Sequence, residues 1–208
     1  MTPESFVELF GREKASAILR TDDQEKAALA MDAAIRGGFR IIEFTLTIPG
    51  VFDLVRDYSG RDGLVVGTGT VMDEEQARRS VEAGACFLVS PVVDEAVIAA
   101  ANEFGVASMP GTHTPTEMLR AHRAGAQLCK LFPAPAGGPA WIRSVMGPMP
   151  FLKIVPTNGV DEHNAGEWIA AGAFAAGFVA PLFQAGDISA GLWDAIEERA
   201  RRCLAAVP

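Results

Sequence analysis

Lys130 stands in Leu128-Cys-Lys-Leu-Phe132, an apolar run in which an ammonium group is out of place. The strand period of two sets Leu128, Lys130 and Phe132 on one face, so the amine enters a dry layer whichever way that face turns. Burial there disfavours the charged amine and leaves a neutral nucleophile able to condense with a ketone. The chain has only four lysines, Lys14, Lys26, Lys130 and Lys153, against fourteen arginines, so a lysine in this setting is not surface filler. Glu43, in Ile41-Ile-Glu-Phe-Thr-Leu46, is a carboxylate amid strand formers. Desolvation would suit it to moving protons, whereas a neighbouring lysine would make it a counter-ion. A buried Lys130–Glu43 ion pair with no catalytic role accounts for both residues equally well at this level.

Other polar residues close or follow apolar runs: Arg20 after the first, Thr68 and Thr70 at the third, Ser90 at the fourth, Thr157 and Asn158 after the seventh. Lys153 also interrupts an apolar run, but four residues before Thr157, which puts it at the start of its strand and away from these groups. His113, His122 and His163 show no HxH or HExxH spacing, so no metal site is read from them and no cofactor is implied.

The elements that would position these groups follow from a recurring phrase. A helical pattern ends in a small residue and Gly and runs straight into apolar residues, as at Gly38, Gly84, Gly105, Gly125 and Gly172. Each glycine falls where a helix needs a left-handed residue before the chain reverses into a strand. The spacing fits a unit of about 20 to 24 residues, or two such units where a marker is missing. Apolar runs lie near 17–19, 40–44, 64–67, 86–90, 106–109, 128–132, 152–156 and 175–180. They are nearly continuous in apolar residues, as strands of a parallel sheet covered by helices are. Eight such units over residues 1–208, with no linker or composition shift, predict an α/β single-domain (β/α)8 TIM barrel. Pro3 to Lys14 is predicted as an extra N-terminal helix closing the barrel bottom. An open doubly wound sheet is the alternative, but Ile18-Leu-Arg-Thr21 opens no G-x-G-x-x-G turn. In the barrel, Arg20, Glu43, Thr70, Lys130 and Thr157 converge at the C-terminal ends of the strands.

The chain has 208 residues, 49% of them hydrophobic, and a formal charge of −8. It is therefore large enough to bury a full core. With no basic run, nucleic acid is not expected as a partner. Cys86, Cys129 and Cys203, an odd number in no CxxC pair, fit a reducing compartment, and no secretory signal opens the sequence, so a cytoplasmic location is expected. The uncharged stretch from Trp168 to Gly186 contains Pro181 and many small residues and reads as a buried strand with its flanks, not as a membrane span.

With these residues placed, the sequence resembles the 2-keto-3-deoxy-6-phosphogluconate (KDPG) / 4-hydroxy-2-oxoglutarate (KHG) aldolase family over nearly its whole length. The matching segments are Ala17-Ile-Leu-Arg20, Ile42-Glu-Phe-Thr-Leu46, Val66-Gly-Thr-Gly-Thr-Val71, Val89-Ser-Pro91, Met109-Pro-Gly111 and Lys130-Leu-Phe-Pro-Ala134. The resemblance implies a class I, metal-free aldolase releasing pyruvate from a 2-keto acid. Lys130 would form the Schiff base and Glu43 would move protons. Arg20, Thr70 and the backbone near Pro91 would hold the keto-acid end, Phe132 would pack over the pyruvyl methyl, and Thr157 would contact the aldehyde half. It also implies a homotrimer, with Trp141, Trp168 and Trp193 available on outer helices.

Departures from the family bear on the substrate. Thr47 stands where many members have Arg. The glycine pairs that cradle the substrate phosphate read Asn158-Gly159 after the seventh strand and Val179-Ala180, before Pro181, after the eighth. Preference for a phosphorylated substrate is thereby placed in doubt, with weak anion binding left to a short helix that Pro181 would start. The alternative is a barrel that binds a small anionic metabolite without this catalysis.

Overall fold

A computed structural model describes residues 1–207. Eight strands alternate with helices along the chain: β1 (Ala15–Leu19), β2 (Ile41–Thr45), β3 (Val65–Gly69), β4 (Phe87–Ser90), β5 (Ala107–Thr112), β6 (Cys129–Leu131), β7 (Ile154–Pro156) and β8 (Ala176–Phe178). Before β1 comes α1 (Pro3–Glu13), and between the strands come α2 (Gln24–Arg36), α3 (Val51–Ser59), α4 (Glu74–Glu82), α5 (Glu95–Glu103), α6 (Pro115–Arg123), α7 (Ala140–Met146) and α8 (Ala165–Ala170). Two helices, α9 (Ala185–Ala190) and α10 (Trp193–Ala205), follow β8. Each apolar run of the sequence has become one strand.

The strands are all parallel, in the order β7-β6-β5-β4-β3-β2-β1-β8. A single bridge between Thr157 and Gly177 joins the two ends and closes a (β/α)8 barrel. The loops that enter the helices are short because acidic N-caps start them at once. Asp23, Asp73 and Asp94 each accept a backbone N–H of the first turn that would otherwise be orphaned. At the other helix ends, Gly38, Gly84, Gly105, Gly125 and Gly172 all have positive φ, as their spacing predicts. One close approach demands glycine outright: a Cβ on Gly37 would lie 2.4 Å from Ala200 Cβ, where α2 meets α10.

Alternation along the strands divides the core in two. Outward residues such as Ala17, Leu19, Ile42, Phe44, Val66, Leu88, Cys129 and Phe178 pack under the helices. Inward residues Ile41, Val65, Phe87, Val89, Met109, Leu128, Val155 and Ala175 fill the barrel with Phe6 and Phe10 of α1. Phe6 stacks on Phe87 with ring centroids 4.5 Å apart, so α1 plugs the bottom as the sequence predicts. Among the described residues no helix is long and apolar enough to cross a membrane.

Candidate active site

At the C-terminal end of the barrel is a pocket of about 550 Å³ lined by inward and strand-end residues of seven strands. Lys130 rises from β6 and is almost fully buried. The strand carrying it is clamped by β5: Thr112 Oγ1 donates to the Lys130 carbonyl at 2.9 Å, and Phe132 N donates to the Thr112 carbonyl at 3.0 Å. Beyond Lys130 the ring of Phe132 lies beneath the amine, 5.4 Å from ring centroid to Nζ, and is partly exposed to the pocket.

Glu43 lies below, fully buried, with neither carboxyl oxygen hydrogen-bonded. Burial raises its pKa above the ordinary carboxyl range, and the charges of Lys130 and Arg20 pull it back only in part. Lys130 and Glu43 sense each other electrostatically, but no ion pair within 4.0 Å joins them. A structural ion pair requires that contact, so its absence favours a working amine and carboxyl over a counter-ion pair. Gly69 makes room for the carboxyl, since a Cβ there would lie 1.9 Å from Glu43 Oε1.

Above these two groups, Arg20 Nη2 donates to Thr70 Oγ1 at 3.1 Å. Thr70 has φ 64°, a left-handed conformation that strains a β-branched residue by about 1–3 kcal/mol. Strain of that kind persists only where the surroundings hold it, and here it turns the hydroxyl toward the guanidinium. Pro91, Thr157, Asn158 and Val179 complete the wall. The Pro91 carbonyl leaves no space at Gly111, where a Cβ would come within 2.2 Å.

Seven sequence candidates, Lys130, Arg20, Thr70, Pro91, Phe132, Thr157 and Asn158, line one pocket, with Glu43 beneath them. Gly159 does not join them. Asn158 takes the left-handed turn at φ 59°, and Gly159 follows outside the pocket with its carbonyl accepting from Asn164 Nδ2. Thr68 and Ser90 share the outward faces of Val66 and Leu88 and are buried under helices. Lys153 sits immediately before β7, outside the pocket. Thr45 and Met72 were not singled out from the sequence, yet both line the pocket. The period of two from Glu43 marks Thr45, whereas Met72 lies on an irregular loop with no such signal.

Two further expectations are corrected. Pro181 starts no helix; residues 180–183 form a turn in which Leu182 N and Phe183 N both donate to the Val179 carbonyl, and α9 begins only at Ala185. Trp168 is 2% exposed and belongs to the core, so it is not available to a neighbouring subunit. Among the described residues no group of three His, Cys, Asp or Glu side chains is placed to hold a metal ion.

A sequence model of the family described as KDPG and KHG aldolase matches residues 8–199. A probable 2-dehydro-3-deoxy-6-phosphogalactonate aldolase of Rhizobium meliloti is 37% identical over 91% of this chain and 89% of its own. The 2-dehydro-3-deoxy-6-phosphogalactonate aldolase of Escherichia coli is 33% identical over 82% of this chain and 84% of its own. In fold, the KDPG aldolase of Legionella pneumophila, solved with pyruvate captured as a covalent carbinolamine, superposes with a TM-score of 0.84 at 24% identity, covering 97% of this chain and 98% of that one.

Proposed function

The chain belongs to the KDPG and KHG aldolase family and is an aldehyde-lyase of that type, and from that premise we propose that it is a class I, metal-free aldolase cleaving a 2-keto-3-deoxy(-6-phospho) sugar acid or 4-hydroxy-2-oxoglutarate to pyruvate and an aldehyde. The observation that carries this is a buried Lys130 amine facing a pocket, with an unpaired buried carboxyl, Glu43, beneath it.

The Lys130 amine adds to the C2 carbonyl of the substrate, forming a carbinolamine. Glu43, whose pKa is raised by burial, gives its proton to the departing hydroxyl, which leaves as water and creates the iminium. Glu43 is now a carboxylate beside a fixed cation, and it takes the C4 hydroxyl proton, directly or through a water. The C3–C4 bond breaks, its electron pair flows into the iminium to give an enamine, and the aldehyde departs. Glu43 returns the proton to C3, and water hydrolyses the resulting iminium to pyruvate and the free Lys130 amine, the proton released in that step going back to Glu43. One carboxyl thus acts as general acid and base in turn and ends the cycle as it began.

Arg20, Thr70 and the Pro91 backbone hold the keto-acid end so that the ketone meets the amine. Phe132 covers the pyruvyl methyl, and Thr157 faces the aldehyde half. The active form is a homotrimer, which sedimentation measures directly.

Borohydride trapping with pyruvate in EDTA tests the mechanism. A single adduct mapping to Lys130, lost together with turnover in Lys130→Ala, is the expected result. No adduct on folded protein, or wild-type turnover by Lys130→Ala, refutes it in favour of a barrel that only binds an anionic metabolite.

A further inference from the structure

Beside the pocket is a second recess of about 520 Å³ between the loops after β1, β2 and β8. Arg20 lines both. So does a hydroxyl relay: Thr45 in the pocket and Thr47 in the recess share a hydrogen bond of 2.8 Å. The recess has an apolar back formed by Phe183 and Ile188, and polar walls of Arg20, Asp22, Lys26, Thr47 and Ser189.

Its charges are not consumed internally. Among the described residues Arg20 has a neutral hydroxyl as its hydrogen-bond partner and no carboxylate pair. Lys26 reaches Asp23 only at 3.9 Å, with both side chains about two-fifths exposed, and Asp23 is already committed to capping α2 through Lys26 N at 3.0 Å. With Arg20 turned to the keto-acid end, Lys26 is the cation the lining keeps for a second anion, beside the carboxylate of Asp22. The walls therefore suit a hydroxylated chain ending in an anion.

The backbone after β8 offers such an anion few donors. Pro181 has no N–H, Leu182 N and Phe183 N are both bound to the Val179 carbonyl at 3.0 and 2.9 Å, and Val179 itself faces the pocket.

We propose that this recess is a second substrate subsite, in which Lys26 holds the anionic terminus of the aldehyde half while Arg20, on the wall between recess and pocket, stays with the keto-acid end. The inference rests on the Schiff-base reading above for the orientation of the substrate, with its keto end on Lys130. A phosphate monoester and a carboxylate share the required chemistry, and substrates separate them.

Cleavage of 2-keto-3-deoxy-6-phosphogluconate, 4-hydroxy-2-oxoglutarate and unphosphorylated 2-keto-3-deoxygluconate is compared in wild type, Lys26→Ala and Lys26→Arg. Lys26→Ala should lower kcat/KM at least tenfold, through KM, for one of the two anionic-ended substrates relative to the neutral-ended one, and Lys26→Arg should recover most of it. The substrate affected identifies phosphate or carboxylate. Equal losses on all three substrates, or none on any, overturn the subsite. Wild-type protein that forms no pyruvate adduct refutes the Schiff-base reading instead. The recess is then judged by titration with inorganic phosphate and with glyoxylate, and a Kd that does not rise in Lys26→Ala for either probe rejects it.

Discussion

A carboxyl with both oxygens buried and unpartnered, as in Glu43, has its pKa raised by desolvation, against the pull of Lys130 and Arg20. In the unfolded chain the same group ionises near pH 4.3. Because the folded value is raised, whatever stability the neutral carboxyl contributes is fully present below that pH and is lost as pH rises toward the folded value. Glu43→Gln removes this penalty. Its Tm should exceed that of wild type at pH 8 and converge with it near pH 4, and a gain of the same size at both pH values would contradict the assignment. The same substitution should slow cleavage by about 10²- to 10⁴-fold, the usual worth of general acid–base catalysis, while borohydride still traps pyruvate on Lys130. Both groups were legible in the sequence for one reason: a charge inside an apolar run is conspicuous. The place of Gly159 was not legible for the opposite reason, because residues after a strand have no period, and the turn at Asn158 carries it past the pocket lining.

At the scale of elements, the eight strands were legible because nearly unbroken apolar runs ended by glycine-marked helices leave few alternatives. The segment after β8 was not, because Pro181 and the small residues around it are compatible with a helix, a turn or a loop; the turn closed by the Val179 carbonyl decided it. Two glycines at strand ends show how backbone and site are joined. In Gly69→Ala the new Cβ meets the Glu43 carboxyl, a side-chain end that can swing aside, so kcat should fall at least tenfold with a loss of only about 1 kcal/mol. In Gly111→Ala it meets the Pro91 backbone carbonyl, which cannot yield without moving β4, so stability should fall by about 1–3 kcal/mol or more. Paired urea titrations and steady-state assays distinguish the two patterns. Equal stability losses would mean that the Glu43 carboxyl is as rigidly held as backbone.

For the whole molecule, α1 does more than complete the core. Phe6 and Phe10 seal the lower end of the barrel, so the reaction chamber has one opening, at the rim of strand ends. A vessel with one mouth imposes a queue. The three-carbon keto-acid unit, bonded to Lys130 through C2, lies at its base, and whatever is attached to C4 stands between it and solvent. Cleavage must therefore discharge the aldehyde before pyruvate, and in the synthetic direction pyruvate must enter first. Product inhibition should bear the mark of that order, with pyruvate competing directly with the keto-acid substrate and the aldehyde inhibiting noncompetitively; the reverse pattern would require a second exit through the floor that α1 occupies.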